Sequence, residues 1–222
     1  MRPTCILHDL PVTPYAEAWR LQKNLLAAMK DDPAEPEHLV LVEHPRVITV
    51  GRRGKADELK RPEEELGRAG FEVFHINRGG KTTYHGPGQL VGYPLVRLNA
   101  RKPDVHRYLR MLEELLIRVA GRFGVESGRR EGLTGTWIGE RKLASIGVGI
   151  SRWITYHGFA LNVATNLDDF RVIDPCGLGG VEMTSLVREA ARAVPMNDVR
   201  KVTIDVFTEL FEVEMIQTGG KE

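Results

Sequence analysis

The chain has 222 residues, 42% hydrophobic and 27% charged, with a formal net charge of +1. That length suits one domain spanning 1–222 with a sizeable core, and the near-neutral charge argues against general nucleic-acid binding or a polybasic membrane anchor. Two cysteines, Cys5 and Cys176, are too few for a disulfide framework, no Cys-x-x-Cys or His-Glu-x-x-His spacing suggests zinc, and no apolar run has signal-peptide or membrane-spanning form, so the expected setting is cytoplasmic with reduced thiols.

Thr4–Leu10 reads as a first strand, and Thr13 as the cap of a helix with Pro14 at its first position. Ala18, Leu21, Leu25 and Met29 carry that helix to Asp31-Asp32-Pro33. Leu39–Val42 and Val47–Val50 are strands, separated by the bend Glu43-His44-Pro45. Gly51-Arg52-Arg53-Gly54-Lys55 lacks the spacing of a phosphate loop, so its likeness to one is read as accidental. Pro62–Ala69 predicts a short helix with Gly70 just past its end, followed by a strand over Phe71–Ile76.

The stretch Arg78 to Gln89 holds four glycines and a proline in twelve residues, too many for an interior helix or a central strand. It lies between two apolar segments and reads as a ligand loop, with Arg78, Lys81, Thr82, Thr83, Tyr84, His85 and Gln89 offering polar contacts. Leu90–Val96 is the strand beyond it. Val105, Tyr108, Leu109, Leu112, Leu116, Val119 and Phe123 mark the longest amphipathic helix, read as core packing, and Gly124 stops it. Trp137-Ile138 and Lys142–Ile150 flank a Gly139-Glu140 turn. Ile154–Val163 is the next strand, and Asn166–Gly180 is irregular. A last helix has Val199, Val202, Val206 and Leu210 on one face, before a strand near Phe211–Ile216. Hairpins with segregated helices predict an α+β fold.

Arg-Gly-Gly-x-x-Thr-Tyr-His-Gly-Pro-Gly-Gln with Tyr93-Pro94, Arg141–Gly147, His157–Val163 and Asp174-Pro175-Cys176-Gly177-Leu178 form four ordered blocks over about half the chain. Together they resemble the octanoyltransferases, also called lipoate–protein ligase B. The resemblance implies the catalytic fold shared by biotin and lipoate protein ligases, with helices packed on a mixed, mainly antiparallel sheet.

By its residues alone, Cys176 sits in a Pro/Gly setting that supplies little core, and it needs a neighbouring cation or base to become a thiolate; His44, His85, His157 and Lys142 are open choices. A lysine at a strand start is ordinarily a solvated edge residue. The resemblance selects Lys142 as the partner of Cys176, one side chain acting as both base and acid. His85 and His157 are assigned to the pocket. Gly79, Gly80, Ser145, Ile146, Gly147, Gly158, Phe159 and Ala160 are expected to line a slot for an unbranched acyl chain, with the Gly79-Gly80 turn or amides near Cys176 holding an oxyanion.

The resemblance implies transfer of octanoyl from octanoyl-acyl carrier protein, through a Cys176 thioester, to a lysine of lipoyl domains of 2-oxoacid dehydrogenase E2 subunits or the glycine-cleavage H protein, with no metal, nucleotide or other cofactor. Alternatives are an ATP-dependent lipoate or biotin ligase of the same fold, a Cys-dependent thioesterase, and a binding module without chemistry. The ligases characteristically carry an acidic residue after the loop histidine, where this chain has Gly86.

Overall fold

The run Leu39–Val42 is apolar without alternation because both its faces are covered. Leu39 and Leu41 enter one hydrophobic cluster, Val40 and Val42 the opposite one. The strand that carries them, β2 (Glu37–Glu43), belongs to an eight-stranded sheet seen in the computed structural model, which describes residues 2–55, 58–101, 103–174 and 181–217. Its order is β11 (Glu214–Gln217), β1 (Thr4–Val12), β2, β6 (Gln89–Leu95), β10 (Ile154–Asn162), β9 (Arg141–Ser151), β8 (Leu133–Ile138) and β7 (Gly128–Arg130). The β11–β1 and β1–β2 pairs are parallel and the other five antiparallel. Helices α3 (Val105–Arg122) and α5 (Met196–Phe211) cover one face, and α1 (Tyr15–Asp31) the other. This is the mixed, mainly antiparallel α+β architecture expected.

A second sheet places β3 (Val47–Val50) between β4 (Glu72–His75), parallel to it, and β5 (Thr82–His85), antiparallel. Helix α2 (Glu63–Arg68) packs beside β4. The expectation of a strandless ligand loop is corrected here. Thr82-Thr83-Tyr84-His85 is a β-branched and aromatic run that pairs with β3, while the glycines stay in the turns on either side.

Both terminal helices are rotated from their expected faces. In α1 the buried positions are Tyr15, Ala18, Gln22, Leu26 and Met29, with Leu21 and Leu25 only partly covered. Gln22 is drawn inside because its Oε1 accepts the His157 N–H at 2.9 Å. Thr13 does not cap this helix: Pro14 holds the cap position and the Thr13 hydroxyl donates to the Pro11 carbonyl. In α5 the buried face is Val199, Thr203, Val206, Phe207 and Phe211, since stacking of Phe207 on Phe211 at 4.2 Å outweighs the Val202–Leu210 stripe. The helix runs through Phe211, so β11 begins only at Glu214. A short helix α4 (Leu186–Ala190), capped by Ser185, precedes it.

Candidate active site

A proline in a central strand removes a ladder donor, and the sheet is broken where Pro94 lies in β6. Thr155 patches the gap: its Oγ1 accepts from Val96 N at 3.0 Å and donates to the Pro94 carbonyl at 2.8 Å. Two residues on, His157 takes a left-handed conformation (φ 56), uncommon for histidine within a strand. Its N–H then leaves the sheet for Gln22, and its ring stacks on Trp19 at 4.5 Å. Regular β6–β10 pairing covers only Phe159–Asn162 against Gly92–Gln89. A cavity of about 680 Å³ opens beside this break.

Arg78, Gly79, Gly80, Lys81, Thr82, Thr83 and His85 from the first block line it, with Ser145, Ile146 and Gly147 from β9 and His157, Gly158, Phe159 and Ala160 from β10. Lys142 lines it too. Tyr84 does not: its ring packs edge-on against Phe71 and Phe170, and its hydroxyl donates to Asp169 Oδ2 at 2.8 Å. Cys176 lies outside the described residues. Cys5, buried in the main core, is pushed up to about 12 by desolvation and then by Glu37, so it stays a thiol.

Sequence reasoning missed part of the wall. Val105 and Leu109, taken as core, line the cavity from the first turns of α3; their i, i+4 spacing sets them on a face beside the buried Tyr108 and Leu112. Tyr15, Tyr93, Trp137 and Ile150 also contribute, as do Arg52 and Arg53 from the turn after β3. Tyr15 Oη, Trp137 Nε1 and His157 Nε2 are buried without hydrogen-bond partners among the described residues.

Lys142 is 4% exposed, at the start of β9. Its N–H donates to Glu182 O at 2.8 Å and its carbonyl accepts from Thr184 N at 2.9 Å, so the strand-like segment 182–184 grips its backbone on both sides. Arg141 holds the same segment through two hydrogen bonds to Glu189, which also accepts from Thr184 Oγ1. On the other flank of 175–180, Asp174 N donates to Glu58 O at 2.7 Å. Lys142 Nζ lies 5.1 Å from the Trp137 ring centroid, within cation–π reach whenever it carries a proton. Gly135 (φ +119) leaves room for the stem, because a Cβ there would stand 3.1 Å from Lys142 Cε and 2.4 Å from Ala144 O. The Gly135 N–H is fixed by Glu113 Oε1 at 3.2 Å, and Glu113 is in turn held by Arg110 and Arg129.

Three histidines in or behind the cavity wall are neutral at physiological pH. Burial lowers His85 to about 3, helped by His44, Arg78 and His157. Burial with the Arg78 and Arg52 guanidinium groups lowers His157 to about 3, and burial lowers His44 to about 4. Their tautomers follow from their partners. His44 Nδ1 donates to Thr13 O at 2.7 Å, leaving Nε2 to accept from Tyr93 Oη at 2.8 Å. The Thr184 carbonyl accepts from Asn162 Nδ2, Asn162 Oδ1 from Gln89 Nε2, and Gln89 Oε1 from His85 Nδ1. His85 thus carries its proton on Nδ1. Arg78 is braced by the Thr49 carbonyl and hydroxyl at 2.7 and 3.0 Å. Among the described residues, no group of three or more His, Cys, Asp or Glu is placed to hold a metal, and no helix is long and apolar enough to cross a membrane.

The mixed sheet and its covering helices have the fold of solved lipoate and biotin protein ligases. The crystal structure of lipoate-protein ligase A bound with ATP superposes with a TM-score of 0.79 at 16% identity, covering 100% of this chain and 90% of that one. Residues 14–208 match the family described as lipoyl protein ligase A/B catalytic domain. An octanoyltransferase of Solibacter usitatus is 47% identical over 212 residues, 96% of this chain and 95% of that protein. One from Syntrophotalea carbinolica is 49% identical over 206 residues, covering 93% and 94%. The chain belongs to the octanoyltransferase family, acyltransferases of protein lipoylation.

Proposed function

We propose that this enzyme moves an octanoyl group from octanoyl-acyl carrier protein to a lipoyl-domain lysine through a thioester on Cys176. The observation that carries this reading is the clamp on Lys142. The segment gripping its backbone, 182–184, begins six residues after Cys176 in the sequence, which supports pairing the two side chains. Lys142 also lies in the wall of a cavity lined by Ile146, Phe159, Val105 and Leu109.

In the first step the Cys176 thiol yields its proton to the Lys142 amine, and Sγ attacks the thioester carbonyl. The carbonyl–sulfur bond to the carrier's pantetheine breaks, and the departing thiolate recovers the proton. In the second step the acceptor's ε-amine attacks the Cys176 thioester and loses a proton through Lys142, an amide forms, and Cys176 leaves as thiolate. One thioester replaces another, and the amide lies downhill, so no nucleotide is required. Acceptors are the lipoyl domains of 2-oxoacid dehydrogenase E2 subunits and the glycine-cleavage H protein. Burying the acyl tail supplies binding at about 0.8 kcal/mol per methylene, so octanoyl should bind somewhat over tenfold more tightly than hexanoyl.

The test is intact mass after incubation with octanoyl-acyl carrier protein, with ATP and magnesium removed. The wild type and Cys5→Ala should carry one octanoyl group, labile to hydroxylamine, and Cys176→Ala none. Lys142→Met should acylate far more slowly near neutral pH, and Lys142→Arg, which cannot give up its proton, should not restore the rate. An adduct on Cys176→Ala, or an absolute need for ATP, would refute the reading.

A further inference from the structure

The turn Gly51-Arg52-Arg53-Gly54, dismissed above as an accidental likeness to a phosphate loop, is built against the cavity's polar side. Arg52 N donates to Arg78 O and Arg53 N to Gly80 O, both at 3.1 Å, and Gly51 N donates to Lys81 O at 3.2 Å. The two backbones are so close that a Cβ on Gly51 would lie 2.6 Å from Gly80 O. A Cβ on Gly54 would lie 2.5 Å from Val50 Cγ1, which pins the other side of the turn. Both guanidinium groups therefore project from a fixed frame.

Both arginines line the cavity and are solvent-exposed, and neither has a hydrogen bond or ion pair through its side chain to any described residue. Lys81 adjoins them, 3.5 Å from Glu58, whose carboxylate also accepts from Thr82 N. By contrast Arg46, Arg101, Arg141 and Arg200 all face carboxylates. Two adjacent arginines without an ion-pair partner among the described residues, on a rigid turn at a ligand cavity, make a binding frame for a phosphate-type anion, which guanidinium recognises by paired, charge-assisted hydrogen bonds.

We propose that Arg52 and Arg53 form a subsite for the phosphodiester of the donor's phosphopantetheine arm. The inference rests on the carrier-thioester reading above: the reacting carbonyl of that donor is joined to its protein by a pantetheine chain ending in one phosphate. The cavity suits this, since 680 Å³ is room for a drug-sized ligand and exceeds what one unbranched eight-carbon chain needs. The acyl tail occupies the apolar wall, and the arm leaves past the arginines.

Three octanoyl thioesters with the same leaving thiol separate the possibilities: octanoyl-pantetheine, octanoyl-4′-phosphopantetheine and octanoyl-acyl carrier protein. The readout is the rate constant for acylation of the enzyme, followed by intact mass. Wild type should favour the phosphorylated small donor over the unphosphorylated one by about tenfold or more, as expected for one charge-assisted contact. In Arg52→Gln/Arg53→Gln that ratio should fall towards one, and Arg52→Lys/Arg53→Lys should keep part of it. Matching melting temperatures establish that the variants are folded. An unchanged ratio in the glutamine variant overturns the subsite, as does a wild type indifferent to the phosphate. A loss seen only with the carrier-bound donor also overturns it, in favour of contact with the carrier protein's surface. Wild type that accepts octanoyl from none of the three would instead sink the transferase reading on which the subsite rests.

Discussion

Gly86 stands where the related ATP-dependent ligases are expected to carry an acid, and the structure gives a steric reason why this chain cannot. A Cβ on Gly86 would lie 1.8 Å from Tyr84 Oη and 2.4 Å from Cζ. Its φ is outside the left-handed region, so Gly86→Ala strains packing and not the backbone. Tyr84 has no exposed surface, and its hydroxyl donates to Asp169, which also accepts from Arg46 Nε and Nη2 at 3.1 and 2.7 Å. Displacing the ring costs about 1–3 kcal/mol in overpacking. Loss of a hydrogen bond to a charged group adds about 1.5–3 kcal/mol. The sum, about 2.5–6 kcal/mol, corresponds to a melting temperature lowered by roughly 5–24 °C for a chain of this size. Gly86→Asp should be worse, because it also brings a second carboxylate towards Asp169, and it should gain no affinity for magnesium–ATP. Thermal unfolding of Gly86→Ala, Tyr84→Phe and the double variant tests this. The double variant should cost at least about 1 kcal/mol less than the sum of the singles, since the hydroxyl is then gone. A Gly86→Ala protein that melts within about 2 °C of wild type refutes the argument.

Glu113→Ala should destabilise the fold by about 2–4 kcal/mol in urea titration, because it orphans the buried Gly135 N–H, and should slow acyl transfer by loosening the strand beside Lys142. Glu113→Gln, which keeps an oxygen for Gly135, should recover at least half of both losses. For pH, His44, His85 and His157 titrate at about 4, 3 and 3 when folded but near 6.5 when unfolded, so below pH 6.5 the unfolded chain binds more protons. Their contribution is complete above pH 6.5 and is lost as pH falls, by up to ~1.4 kcal/mol per pH unit for each. A urea midpoint that stays constant from pH 7.5 to 4.5 would show that these histidines are not held neutral.

What was legible in the sequence was whatever a single period or punctuating residue decides. The apolar run of β2, the stripe of α3 closed by Gly124 and the hairpin at Gly139-Glu140 all depend on neighbours along the chain. What failed depends on partners far away. Gln22 is buried on α1 only because a strand 135 residues later offers an N–H that its own sheet does not use. Tyr84 looked like a loop contact because nothing local shows that Asp169 and Phe170 will receive it. The stretch with Arg52 and Arg53 reads as an accidental likeness to a phosphate loop because its clasp with residues 78–81 is a tertiary event. Most positions of the first block, with Lys142 and Ser145–Gly147 of the second and His157–Ala160 of the third, do gather at one cavity, which composition and periodicity alone do not specify.

The polar wall of that cavity also bears on how the proposed chemistry handles protons. A histidine with a pKa near 3 is protonated in only about one molecule in 10⁴ at pH 7 and is too weak a base to deprotonate a thiol. Under the Cys176 reading proton traffic therefore concentrates on Lys142. That role demands a lysine held in place, and its backbone is tied into the same network that orients His85. The chain His85–Gln89–Asn162 ends on the Thr184 carbonyl, and the N–H of Thr184 binds the carbonyl of Lys142. Breaking the middle of this chain shifts the lysine's anchor without touching substrate. A neutral relay suits the task better than an ion pair would, because a buried carboxylate at this position would attract the Lys142 ammonium and compete with the thiolate it has to stabilise.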